Sequence, residues 1–286
     1  MLRKTYLILT YARGIFRENE FWNYAQSLNR VDDADYVLLS DDIADMYREK
    51  LEDDYDVKVV KVPEVTDPYR GRHLAFWRYL NDEGHKYKHV ITTDSRDVIF
   101  QKSPFEWVDE WKTRYDSIHG NKDFLNHFVI LASEGLKVAQ SGFACIEHFE
   151  FQRDVPLAHQ KDIAGNYVVN SGVSLGTYQA LMNYHMLLWA TNLKTRGRCT
   201  DQAALNYLMS YLDEEAGYCA SSPVNDWFCL TCEAVKEGFV KPTFENGFLK
   251  NPQGKEYAIV HQWDRLEDSL RESMLNSLNG GFSVIL

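Results

Sequence analysis

The stretch His89-Val90-Ile91-Thr92-Thr93-Asp94-Ser95-Arg96-Asp97 decides how this chain is read. Val90, Ile91, Thr92 and Thr93 are β-branched and suit a buried strand. The four residues that follow put two carboxylates in the turn at that strand's carboxyl end. Upstream, strands are predicted at 6–10, 36–40 and 57–62, alternating with amphipathic helices at 18–28, 43–51 and 72–80, and a further helix over 104–111 follows the acidic turn. Such βα alternation predicts an α/β fold, a doubly wound and mostly parallel sheet covered on both faces. Ligands of such sheets bind beyond the carboxyl ends of the strands. The loops after Thr10, Ser40, Val62 and Thr93 are therefore where chemistry is to be sought.

The second half is less regular. Residues 116–160 read as a mixed region, and 166–176 as a strand, a kink and a second short strand. From Tyr178 the residues Leu181, Met182, His185, Leu188 and Trp189 share one helical face, with Thr177 as N-cap. Another helix opens at Thr200, a strand is predicted over 257–260, and a last helix from about Asp264. With no repeat, linker or low-complexity tract, one continuous domain over 1–286 is expected.

Of the 286 residues 45% are hydrophobic, ample for a large core. The formal charge of −11 excludes a general nucleic-acid backbone binder, so an anionic ligand must be met locally by a metal or a few arginines. The apolar run near Met1 is short and soon meets Tyr11-Ala12-Arg13-Gly14, which favours a first strand over a secretory signal. No later stretch approaches the ~20 apolar residues of a membrane span. Five scattered cysteines, among them Cys199 and the pair Cys229-x-x-Cys232, give no disulfide framework. Two reduced thiols are the better reading of that pair than half a zinc site, and a cytoplasmic location is expected.

Two carboxylates as close as Asp94 and Asp97 repel unless a cation sits between them, and hard divalent ions take such oxygen ligands while bridging to phosphate. Either acid has a structural alternative, as a turn residue or as a partner of Arg96. Arg70 and Arg72 begin a predicted helix, where the positive end of the dipole disfavours cations unless an anion offsets them. The alternative is pairing with Glu64 or Asp67. His261, entering the loop after a strand, is placed to give a neutral nitrogen to a metal. Asp201 opens a helix, where capping alone would explain it. Glu134 follows the apolar run 128–131 and rivals Asp201 as a general base.

The order of these elements resembles the metal-dependent glycosyltransferases of the GT-A fold. It runs Asp-Ser-Arg-Asp-Val-Ile-Phe-Gln-Lys-Ser-Pro-Phe from residue 94, Asn-Ser-Gly-Val from 170, Asp-Gln-Ala-Ala-Leu-Asn from 201, then a strand ending at His261. The later elements look most like the family of glycogenin and bacterial galactosyltransferases. The motif is Asp-x-x-Asp, not Asp-x-Asp, and Gln-Trp-Asp-Arg follows His261 where that family has Gly-x-x-Lys-Pro-Trp, so a sibling family is implied. The resemblance implies a nucleotide-binding half at 1–115 and a donor-sugar and acceptor half at 116–286. It implies Asp94, Asp97 and His261 as ligands of Mn²⁺ or Mg²⁺. Thr10 and Tyr11 would meet the base of a nucleotide-sugar donor, Asp94 its ribose or the metal, Arg72 its diphosphate or sugar and Arg265 its phosphate, with Ser95 and Arg96 also on the donor. Asn170, Ser171 and Gly172 would lie along the sugar, Asp201 and Gln202 would hold its hydroxyls near the reacting carbon, and the acceptor would be a hydroxyl of a glycan or glycoconjugate. If the reaction inverts, the residues themselves offer Asp201 or Glu134 as the catalytic base. Two rivals stand beside this: a nucleotide-sugar or glycoside hydrolase, and a non-catalytic carbohydrate-binding protein that stacks sugars on its aromatic rings.

Overall fold

The computed structural model describes residues 4–14, 18–65, 67–119, 126–155, 158, 162–196, 200–212 and 216–280. Met1 and Cys199 lie outside them. The first half is β1 (Tyr6–Arg13), α1 (Glu18–Leu28), β2 (Ala34–Asp42), α2 (Asp45–Tyr55), β3 (Val57–Lys61), α3 (Pro68–Glu83), β4 (His89–Thr93), β5 (Val98–Phe100) and α4 (Pro104–His119). There follow β6 (Val129–Lys137), α5 (Gly142–Asp154), β7 (Tyr167–Gly176), α6 (Tyr178–Thr191), α7 (Thr200–Leu208) and β8 (Tyr218–Ser221). The chain continues with β9 (Cys229–Thr231), α8 (Cys232–Lys236), β10 (Thr243–Glu245), β11 (Phe248–Lys250), β12 (Ile259–His261) and α9 (Asp268–Gly280).

Seven strands form one sheet in the order β3-β2-β1-β4-β7-β6-β8. All neighbours are parallel except β7, which runs antiparallel to both β4 and β6. Alternation along β1 shows how both faces are covered. Ile8 packs with Phe21, Leu28, Trp107 and Trp111 of α1 and α4. Leu7 and Leu9 pack with Phe76, Leu80, Leu181 and Leu188 of α3 and α6. Period-2 side chains therefore feed two cores from one strand, and truncating a fully buried leucine such as Leu80 costs about 2–5 kcal/mol.

A second sheet, β5-β12-β9, sits beside the first, and its buried Ile99, Leu230 and Val260 pack against Met274 and Leu278 of α9. The mixed region contains a long strand and a helix, β6 and α5. Two expectations need correction. Residues 167–176 form one strand whose pairing to β6 slips between Val169 and Ser174, so the kink is a break in register. The last strand ends at His261, and a 3-10 turn at Trp263–Arg265 precedes α9. Cys229 and Cys232 are buried free thiols with pKa values raised by burial. Among the described residues no helix is long and apolar enough to cross a membrane.

Candidate active site

The carboxyl ends of β1 and β4 and the middle of β7 open into a cleft of about 600 Å³. Its walls include Tyr11, Arg72, Asp94, Ser95, Arg96, Asp97, Asn170, Ser171, Gly172, Asp201, Gln202, His261 and Arg265. Residues scattered over most of the sequence meet there, and each arrives for a local reason.

The acidic turn is clamped from two sides. Asp94 donates its backbone N–H to Gly172 O at 2.8 Å, and Gln262 donates to Asp97 O at 2.6 Å. β12 pairs antiparallel with β5 in a register that sets His261 opposite Val98, the residue after Asp97. Gln262 then turns the chain sharply, with the left-handed φ of 60° that costs a non-glycine residue on the order of 1–2 kcal/mol. Side-chain oxygens of Asp94 and Asp97 and a ring nitrogen of His261 consequently lie within 4.8 Å of one another.

The electrostatics of that point call for a cation. His261 Nε2 is 3.5 Å from Asp94 Oδ2 and 3.8 Å from Asp97 Oδ1, and neither ring nitrogen has a hydrogen-bond partner among the described residues. Burial alone would lower the imidazole pKa, yet the surrounding carboxylates raise it. Burial raises Asp97, reinforced by Asp94. Burial works on Asp94 in the same sense, but Arg72 and His261 outweigh it and hold its pKa below the ordinary range. The same two-carboxylate, one-imidazole set suits a hard divalent ion. Gly172 leaves the space: a Cβ there would stand 2.6 Å from His261 Nε2 and 2.7 Å from Asp94 Oδ2.

Arg72 comes from the first turns of α3, which Asp67 caps by accepting from Tyr69 N at 2.9 Å and Arg70 N at 3.4 Å, a contribution of about 1 kcal/mol. The two arginines of that turn part company. Arg70 bonds back to Asp67 at 2.8 Å, the structural alternative, whereas Arg72 reaches inward to Asp94 and, at 2.6 Å, to Asp201 Oδ2. Glu64 pairs with Arg13. Asp201 is held below its ordinary pKa: burial acts to raise it, but Arg72 and His73 prevail.

His73, one residue after Arg72, begins a buried chain of polar groups. Its Nε2 faces Asp201 Oδ2 at 3.6 Å, its Nδ1 lies 3.0 Å from His185 Nδ1, His185 Nε2 lies 3.1 Å from Thr92 Oγ1, and Thr92 lies 2.6 Å from Ser174 Oγ. Burial lowers the pKa of both histidines and keeps them neutral. A carboxylate only accepts, so one set of tautomers fits the chain: Ser174 donates to Thr92, Thr92 to His185 and His185 to His73, which leaves the His73 Nε2–H facing Asp201 at 3.6 Å, longer than a hydrogen bond. His185→Phe breaks this chain and frees His73 to turn a lone pair on Asp201. We expect turnover at this cleft to fall about tenfold, ~1.4 kcal/mol, with ligand affinity unchanged. Equal loss in both quantities would show a purely structural role.

The remaining candidates separate by depth. Asn170 donates its amide to Glu134 at 2.8 Å and accepts from Gly172 N at 2.7 Å, while Gln202 donates to Glu134 at 3.3 Å. Glu134 is buried behind Asn170 and Gln202 and is not among the residues lining the cleft. Thr10 is likewise behind the wall, donating its hydroxyl to Thr93 O at 2.9 Å. Arg96 turns to Glu20 at 2.7 Å and Arg265 pairs with Glu233, both from the cleft rim. Reasoning from sequence missed Tyr69, Phe143, Glu147 and Gln262 as lining residues. None of the four carried a distinct signal, since Glu147 shares the helix Gly142–Asp154 with two other acids, Glu150 and Asp154.

No family model matches the chain, and no curated protein is similar to it in sequence. Solved structures are similar. The galactosyltransferase LgtC, bound to donor and acceptor sugar analogues, aligns over 98% of this chain and 97% of its own with a TM-score of 0.56 at 14% identity. An active-site mutant of LgtC gives 0.57 at 13% identity over the same shares, 98% and 97%. Mouse xyloside xylosyltransferase 1, apo form, gives 0.51 at 12% identity, over 90% of this chain and 97% of its own. The fold is that of the GT-A glycosyltransferases. Identities this low establish the fold and leave the chemistry to the site.

Proposed function

We propose that this chain is a metal-dependent glycosyltransferase. It moves a sugar from a nucleoside-diphosphate sugar, a UDP-sugar by preference, to a hydroxyl of a glycan or glycoconjugate. One observation carries the reading: Asp94, Asp97 and His261 converge on one point of a cleft whose next residues are Arg72, Gly172 and Asp201. In an α/β sheet of this kind that point lies beyond the carboxyl end of a central strand, where a diphosphate would sit.

Asp94, Asp97 and His261 would hold Mn²⁺ or Mg²⁺, which would supply positive charge for the leaving diphosphate. Arg72 adds a fixed cation beside the same carboxylates. Tyr11 flanks the nucleotide side, while Asn170, Ser171, Asp201 and Gln202 hold sugar hydroxyls. The acceptor oxygen forms the new bond to the anomeric carbon, the carbon–oxygen bond to phosphate breaks, and the acceptor proton leaves to an oxygen of the departing phosphate. This same-face course, with retention, is favoured because both candidate bases are committed elsewhere. Asp201 is ion-paired and held a weak base, and Glu134 lies behind Asn170 and Gln202.

Thermal shifts with UDP, GDP and their hexose and pentose conjugates, each with and without Mn²⁺, test the proposal. The expected result is stabilisation by a nucleotide only with metal, since a ligand at about 100 times its Kd adds about 2.7 kcal/mol. Asp97→Asn should erase that shift. A metal-independent shift in the wild type, or full release of sugar at an unchanged rate without acceptor, would remove the transferase reading.

A further inference from the structure

Helix α5 is sorted against its polarity. Phe143, Ile146 and Phe149 are exposed at 55%, 63% and 68%, while Glu147 is only 4% exposed. Hydrophobic burial alone would turn such a helix the other way. Glu147 lines the cleft, yet neither of its carboxyl oxygens has a hydrogen-bond partner among the described residues. An unsatisfied buried acid is costly and is retained where a ligand completes it.

Its surroundings fix the kind of ligand. α5 packs against α7, and among the described residues the charged groups that act on Glu147 are Asp201 on α7, Glu134 on β6 and Glu150 on its own helix, all acidic. Burial, with those acids adding to it, raises the Glu147 pKa to about 9. The group is therefore a neutral acid at pH 7, with one O–H to donate and a carbonyl oxygen to accept. A diphosphate, all acceptors and negatively charged, is a poor partner among three acids. A sugar hydroxyl, which donates and accepts, matches it. Position agrees, because α5 follows β6, two strands beyond β4 and on the side of the sheet away from β1.

We infer that Glu147 binds a hydroxyl of the transferred sugar through its unpartnered carboxyl group and so helps set which sugar is accepted. This rests on the proposed nucleotide-sugar activity. Calorimetry with Mn²⁺ on wild type, Glu147→Gln and Glu147→Leu, comparing UDP with UDP-galactose, UDP-glucose and UDP-xylose, tests it. UDP affinity should stay within about twofold in all three proteins. The gain that the sugar adds should fall at least about tenfold in Glu147→Leu and be largely kept in Glu147→Gln, which still donates and accepts. The leucine variant should also melt higher than wild type, because it removes an unpartnered buried acid. A sugar-dependent gain untouched by leucine, or equal weakening of UDP and UDP-sugar, would overturn the assignment alone. A wild type that binds none of the nucleotides would overturn the nucleotide-sugar reading and this inference with it.

Discussion

Gly172→Ala should lower kcat/KM by about 100-fold or more and abolish the Mn²⁺-dependent thermal shift, while urea unfolding without metal loses about 1–3 kcal/mol to overpacking. The added Cβ would lie 2.4 Å from His261 Cε1, 2.6 Å from Nε2 and 2.7 Å from Asp94 Oδ2, distances real Cβ atoms do not show. Something must move, and the neighbours are poorly placed to do so. His261 is 2% exposed on a strand paired at both edges, and Asp94 is tied by Arg72 and by its backbone bond to Gly172 O. Two of the displaced atoms, His261 Nε2 and Asp94 Oδ2, are ones that would hold the cation, so the loss of metal affinity exceeds the loss of stability. Metal titration by isothermal calorimetry reads it directly. An alanine variant with wild-type Mn²⁺ affinity would show that the cation, if used, sits elsewhere.

Arg72→Met should cost about 3 kcal/mol of stability at pH 7 and remove turnover, because it strands the buried Asp201 and the part-buried Asp94 without their shared cation. The pH dependence should change sign. In wild type both Asp94 and Asp201 have pKa values below the ordinary 3.8, because Arg72, helped by His261 at Asp94 and by His73 at Asp201, outweighs a burial effect of opposite sign. Their contribution is complete above 3.8 and is lost as pH falls through the lowered folded values. Without Arg72 only the histidines oppose burial, and the folded values are expected to rise above 3.8. Stability is then highest in acid and declines as pH climbs toward 7. Melting temperatures of both proteins from pH 4 to 7 check this: wild type should be flat or rising, the methionine variant falling. Parallel curves would mean that Arg72 does not govern the charge of these acids.

These two results concern residues that the sequence exposed unequally. Arg72 was suspect because a cation at a helix start needs an anion, but its partners, Asp94 and Asp201, are 22 and 129 positions away. Arg70 had the same local case and proved an ordinary partner of Asp67. The dipole argument applies to both, and only the direction in which α3 faces the sheet tells them apart. Gly172 entered through resemblance, since nothing local distinguishes a glycine in a strand from a spacer. Its necessity comes from the imidazole 89 residues later in the chain that occupies its missing side chain.

What the residues settled unaided was the βα rhythm of the first half and the acidic turn after His89–Thr93. Period-2 and period-3.6 patterns are short-range, and a turn that ends a strand is a local event. The break in β7, the burial of Glu134 behind Asn170 and the inward acid of α5 depend on which strands adjoin and in what register. So does the arrival of His261 opposite Val98. Those are long-range choices made when the whole core closes, and side-chain depth is a property of that closed shape. The chemistry was written as candidate residues, and packing decided which of them share a wall.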